Sequence, residues 1–87
     1  MIIWDEEKNL KLKLERNISF EQISSIIIEG DYIAILDHPQ RSDQQLFVLE
    51  INNYIYAVPF LIDDNENLIL KTAFPSRKLN KKYKGKK

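Results

Sequence analysis

Asn52-Asn53 stands between two runs, Gln45–Ile51 (QLFVLEI) and Tyr54–Ile62 (YIYAVPFLI), that are rich in β-branched and aromatic residues. Asparagine tolerates positive φ, so the pair predicts a two-residue hairpin joining two strong strands. That commits the second half of the chain to an antiparallel sheet. Tyr32–Leu36 and Leu68–Phe74 repeat the period of two, and Asp63-Asp64-Asn65-Glu66-Asn67 reads as a longer turn. Pro59 falls inside a strand pattern and has no N–H to donate, which predicts an edge strand or a bulge at that point.

The first half obeys other rules. Met1–Trp4 predicts a short strand. Asp5 can cap a helix that carries Glu6 and Glu7 in its first turn, where the dipole favours anions. In NLKLKLERN, Leu10, Leu12 and Leu14 alternate as in a strand, yet Leu10 and Leu14 are also four apart; the cap and the absence of β-branched residues favour helix. Ser19-Phe20-Glu21-Gln22 fits a capping box, flanked by Ile18 and Ile23 as a hydrophobic staple. This second helix should stop at Gly30 and carry Phe20, Ile23, Ile26 and Ile27 on one face. Pro75 ends the last strand, and Ser76 can cap a C-terminal helix reaching about Tyr83. The fold class is α+β, a single domain over 1–87: a short strand, two helices, an antiparallel meander and a basic C-terminal helix or tail. One helical layer on one sheet is expected.

The formal charge of zero conceals a division. Residues 1–70 hold 13 acids and 5 bases; residues 71–87 hold 8 bases and no acid. Such a split points to a polyanion-binding end or to a solubilising tail. It also permits the tail to fold back on the acidic body. There is no cysteine, so disulfides and thiolate metal sites are excluded. Apolar runs are far below the ~20 residues of a membrane span, and Asp5 interrupts any signal-peptide pattern. A cytoplasmic protein without a membrane role is expected. His38 is the one histidine, Asp63-Asp64 lacks the spacing of a calcium loop, and no Gly-rich phosphate loop or serine nucleophile motif is present. No metal or other cofactor is expected.

Three strings carry a family resemblance. IIWDEEKN is similar to the aromatic-Trp-Asp opening of the BrnT toxins, ISFEQISSII to their second-helix start, and FPSRKLNKKY to their Ser- and Arg-bearing ending closed by Tyr. In order, spacing and length the chain resembles that family, part of the RelE-like superfamily of small ribonucleases. The resemblance implies a RelE-like fold and a metal-independent mRNA endoribonuclease toxin that arrests translation and growth, acting on free or ribosome-bound mRNA. It also implies a small ribbon-helix-helix antitoxin encoded nearby, with operator DNA bound only through the complex. Two positions depart from the family pattern. Glu15-Arg16-Asn17 replaces a Lys-His-Gly triplet, and Thr72, beside Lys71, stands nearest to a basic residue of the family. A non-catalytic nucleic-acid- or antitoxin-binding protein derived from such a toxin is the alternative.

Metal-free RNA cleavage needs removal of the 2′-hydroxyl proton, stabilisation of the extra charge on phosphorus and protonation of the leaving oxygen. Arg77 is the foremost candidate, since its guanidinium forks onto two phosphate oxygens. Lys81 and Lys82 are candidates for proton transfer or only for attracting RNA. Tyr83 either stacks on a base, donates its hydroxyl or packs on the sheet. His38, in the polar loop LDHPQRSDQQ, is a candidate acid–base group. Lys71, Lys78, Lys8 and Arg16, with Arg77, Lys81 and Lys82, are expected to form the RNA-binding face. Trp4 and Asp5 read as structural, and Lys84, Lys86 and Lys87 as frayed residues acting through charge alone.

Overall fold

The hairpin at Asn52-Asn53 forms as its residues require, with φ of 52° and 66°. The computed structural model describes residues 1–84. Its elements are β1 (Ile2–Ile3), α1 (Glu6–Arg16), α2 (Phe20–Glu29), β2 (Ala34–Asp37), β3 (Gln45–Ile51), β4 (Tyr54–Ile62), β5 (Leu68–Leu70), β6 (Phe74–Pro75) and α3 (Arg77–Lys84). β3 and β4 pair without interruption from Gln45↔Phe60 to Ile51↔Tyr54. The sheet runs β1-β5-β4-β3-β2, with β6 also beside β4. Strands β2 to β5 are antiparallel neighbours, and β1 joins β5 in parallel, so the sheet is mixed. Among the described residues no helix is long and apolar enough to cross a membrane.

Pro59 departs from expectation, because β4 is neither an edge strand nor bulged against β3. Its outer side is shared by two short strands: β5 pairs Phe60–Ile62, and β6 pairs Tyr56 and Ala57. On that outer side the Ile55 carbonyl accepts from the Ser76 amide at 3.0 Å, and the Pro59 carbonyl accepts from the Lys71 amide at 2.9 Å. By the period of two, the missing Pro59 donor falls where one neighbour gives way to the other. The run Leu68–Phe74, expected as one strand, is therefore two, and residues 71–73 lie between them with only the Lys71 amide still bonded to β4. The expected strand Tyr32–Leu36 is shifted to Ala34–Asp37, although the Ile33 amide still donates to the Val48 carbonyl at 2.7 Å.

The helix ends follow their caps. Asp5 accepts from the Glu7 amide, Ser19 and Gln22 close the capping box, and Gly30 takes the left-handed conformation at φ 75°. Asn17, also left-handed, ends α1. Only Leu12 among the alternating leucines is buried; Leu10 and Leu14 are exposed. Leu12, Ile18, Phe20 and Ile23 pack on the sheet face formed by Phe47, Leu49, Ile51, Tyr56, Val58 and Phe60. Phe47 and Phe60 stack at 4.3 Å, and Trp4 lies 5.8 Å from Phe20.

Leu46, Val48, Ile55 and Ala57, the alternate positions, are buried as well. Leu79 of α3 shares a groove with Leu46 and Ala57, placing this helix on the opposite face from α1 and α2. The single helical layer expected from the sequence is thus corrected to helices on both faces. Ser76 caps α3 through its Oγ, which accepts from the Leu79 amide, and Asn80 Oδ1 accepts from the Ile55 amide at 3.1 Å.

The polar centre of the helical layer is Asn9, which is fully buried. Its Nδ2 donates to Glu6 Oε1 at 3.2 Å and Glu21 Oε1 at 2.8 Å, while its Oδ1 accepts from the Phe20 amide at 2.8 Å. Replacing Asn9 by alanine leaves that buried amide without a partner. Asn9→Ala should lower unfolding free energy by about 2 kcal/mol in denaturant titrations. The Asn9 hydrogen bond also holds the Glu21 carboxyl below the usual glutamate range. A carboxyl pKa lower in the folded than in the unfolded chain adds stability above the unfolded value and loses it as pH falls through the folded one. Thermal melts should therefore show Tm falling in that acid window, and less steeply in Glu21→Gln.

Candidate nucleic-acid interface

His38 follows directly on β2 and opens the loop to β3. Its Nδ1 accepts from the Gln40 and Arg41 amides at 3.1 and 3.2 Å, and its own amide donates to the Gln44 carbonyl at 3.2 Å. A nitrogen that accepts carries a lone pair, so the neutral ring has its proton on Nε2. The loop thus fixes the tautomer and leaves Nε2–H as the ring's free donor.

Three adjoining grooves meet around this loop and β6. The first, about 560 Å³, is lined by Leu36, Asp37, His38, Leu46, Ala57, Phe74, Ser76, Lys78, Leu79 and Lys82, together with Pro39 and Gln40. The second, about 490 Å³, includes Lys8, His38, Arg41, Asp43, Lys71, Thr72 and Phe74. The third, about 360 Å³, includes Lys8, Lys11, Glu15, Arg16, Thr72 and Phe74. Phe74 belongs to all three and His38 to two; His38 also lines a fourth groove, about 470 Å³, that carries Asp37 and Asp43 beside Arg41. Seven lysines and arginines face three carboxylates across these walls, in a chain whose formal net charge is zero. Concave surfaces with an excess of one sign of charge concentrate counter-ions, and the excess of cations over Glu15, Asp37 and Asp43 favours anions here. Lys8 is drawn to this region by its Nζ, which donates to the Lys71 carbonyl at 3.2 Å.

The residues singled out in the sequence divide between this surface and others. His38, Lys71, Lys78, Lys82, Lys8 and Arg16 line the grooves. Arg77, Lys81 and Tyr83 line none of the three. Helical geometry explains the partition: Lys78 and Lys82, four residues apart, share one stripe of α3, and Arg77 and Lys81 form the next stripe, about 100° away. Arg77 and Lys81 are exposed, whereas Tyr83 is half-buried with Lys82 Nζ 5.4 Å from its ring centre. Lys84 is not frayed. Its Nζ donates to the backbone and side-chain oxygens of Asn53 and pairs with Glu50 at 3.3 Å, a contact of the tail with the acidic body. Gly85, Lys86 and Lys87 lie outside the described residues.

Phe74, Lys11 and Arg41 belong to the surface but were not marked by sequence reasoning. Arg41 stands three residues after the lone histidine in a polar loop, and Phe74 directly precedes a strand-ending proline; those were the available signals. No family model, curated protein or solved structure matches the chain.

The groove assignment has a measurable consequence. Each lost contact to a single-stranded backbone should flatten the dependence of log affinity on log salt by about 0.7. The Lys78→Gln/Lys82→Gln pair should reduce the slope for a short oligonucleotide by about 1.4 in fluorescence anisotropy titrations. Arg77→Gln/Lys81→Gln, on the outer stripe, should reduce it less.

Proposed function

We propose that this chain is a metal-independent endoribonuclease toxin of a bacterial toxin–antitoxin pair, acting on mRNA at the basic surface around His38. The observation that carries the proposal is the placement of the sole histidine on the boundary between two cation-lined grooves, with Nδ1 tied down and Nε2–H free. The BrnT resemblance of the sequence supports the same reading.

In this scheme the RNA supplies its own nucleophile. O2′ attacks phosphorus as water takes its proton, the bond from phosphorus to O5′ breaks, and water returns a proton to O5′, so proton loss and gain cancel. The products are a 2′,3′-cyclic phosphate and a 5′-hydroxyl. Lys78 and Lys82 on one side and Lys71 and Lys8 on the other offset the charge that grows on the phosphorane. His38 Nε2–H donates a hydrogen bond to a non-bridging phosphate oxygen and keeps its proton. Arg77 and Lys81, on the outer stripe of α3, hold flanking phosphates rather than the scissile one. A short acidic, helix-rich antitoxin has the charge to cover the same grooves.

A non-catalytic binding protein derived from such a toxin is the second reading, favoured by the position of Arg77 outside the grooves. End-mapping of RNA incubated with purified protein in chelator separates the two. Cyclic phosphate termini are expected, and uncut RNA refutes the catalytic reading. His38→Asn keeps a side-chain acceptor for the two loop amides but offers no imidazole. It should lower the cleavage rate about 10²- to 10³-fold while leaving the circular dichroism spectrum unchanged.

A further inference from the structure

Phe74 is 38% exposed, although its neighbour Ala73 is 1% exposed and the ring borders all three grooves. What sets this partly exposed ring apart is its place at the junction of the three grooves. The exposed Leu14, Ile28 and Ile33 line none of these grooves; beside Phe74 the first groove carries the more buried Leu36, Leu46, Ala57 and Leu79. The charged side chains that share these grooves with it are mostly cationic, seven lysines and arginines against Glu15, Asp37 and Asp43. A flat apolar face set among positive charges suits a ligand that is both aromatic and anionic.

The ring is also held in place. β6 pairs with β4 through Ala57↔Phe74 and Tyr56↔Pro75, and the Ser76 amide donates to the Ile55 carbonyl just beyond it. Pro75 restricts the backbone on the C-terminal side. A ring carried by a paired strand loses little freedom when a base lies on it, unlike one on a loose loop.

We infer that Phe74 is a stacking platform for an unpaired nucleobase, and that the surface around it selects single-stranded over duplex polynucleotide. Stacking accepts any base, because each has a π face, whereas a duplex keeps those faces covered. The flanking cations follow the backbone on both sides of the ring: α1 supplies Lys8 and Arg16, and α3 supplies Lys78 and Lys82. The inference takes its ligand from the proposed RNA reading but does not depend on cleavage.

The test separates binding from cutting by using a fluorescent 2′-O-methyl oligoadenylate, whose blocked O2′ cannot attack. The comparison ligands are an abasic oligomer with the same phosphates and the duplex with 2′-O-methyl oligouridylate. The parent protein should bind the oligoadenylate about tenfold more tightly than the abasic oligomer, within the range for one stacked base. Phe74→Leu should erase that difference and leave the salt slope unchanged, while Phe74→Trp should retain the preference. Equal affinity of the parent for base-bearing and abasic strands, or for single strand and duplex, overturns the inference. So does a folded Phe74→Leu that binds oligoadenylate as the parent does. Failure to bind any of the three at low salt assigns the surface to a protein partner and also refutes it. Base-dependent binding with uncut natural RNA refutes cleavage alone; cutting without base dependence refutes the platform alone.

Discussion

Asn9 ties two helices together with one side chain. Its amide donates to carboxylates on α1 and α2, and its oxygen accepts the first amide of α2. Because α1 buries only Leu12 among its leucines, apolar packing alone gives the helix a weak hold on its orientation. Directional hydrogen bonds in a buried setting supply what packing does not. Lys8 directly precedes Asn9, and Lys11 and Arg16 follow on the same helix, so the cationic wall contributed by α1 takes its position from this contact.

The second organising constraint is Pro59. A strand that cannot donate at one outward position cannot hold a continuous neighbour there, and the chain responds by exchanging β5 for β6. The exchange leaves residues 71–73 between the two strands and brings Lys71, Thr72 and Phe74 to the junction of the grooves. A backbone irregularity in mid-sheet thus becomes the place where side chains of α1, the His38 loop and α3 meet.

Much of this architecture was legible in the sequence because it is specified locally. The asparagine pair, the capping box and Gly30 each determine backbone conformation within a few residues, and their elements formed with the expected ends. What escaped depends on residues far apart. No local pattern marks Asn9, whose oxygen accepts from the Phe20 amide 11 residues on. The division of Leu68–Phe74 follows from Pro59, which no local pattern links to it. In α3 the sequence grouped Arg77 with Lys81 and Lys82, but only Leu79 packing on the far face shows that Lys78 and Lys82 share the groove with His38. The guanidinium that composition made most prominent therefore lies one residue off the groove.

The Asn80–Ile55 hydrogen bond bears on how the molecule avoids its own kind. Beyond β6, the outward amide of β4 at Ile55 is taken by a helix side chain instead of another strand. A foreign β-segment arriving at that border finds the donor already occupied. The open border at the other end of the sheet, β2, is four residues long and finishes on the charged Asp37. Shortness and a terminal charge are the devices that discourage edge-to-edge aggregation. The side chain that anchors α3 thus also guards the sheet against templated growth.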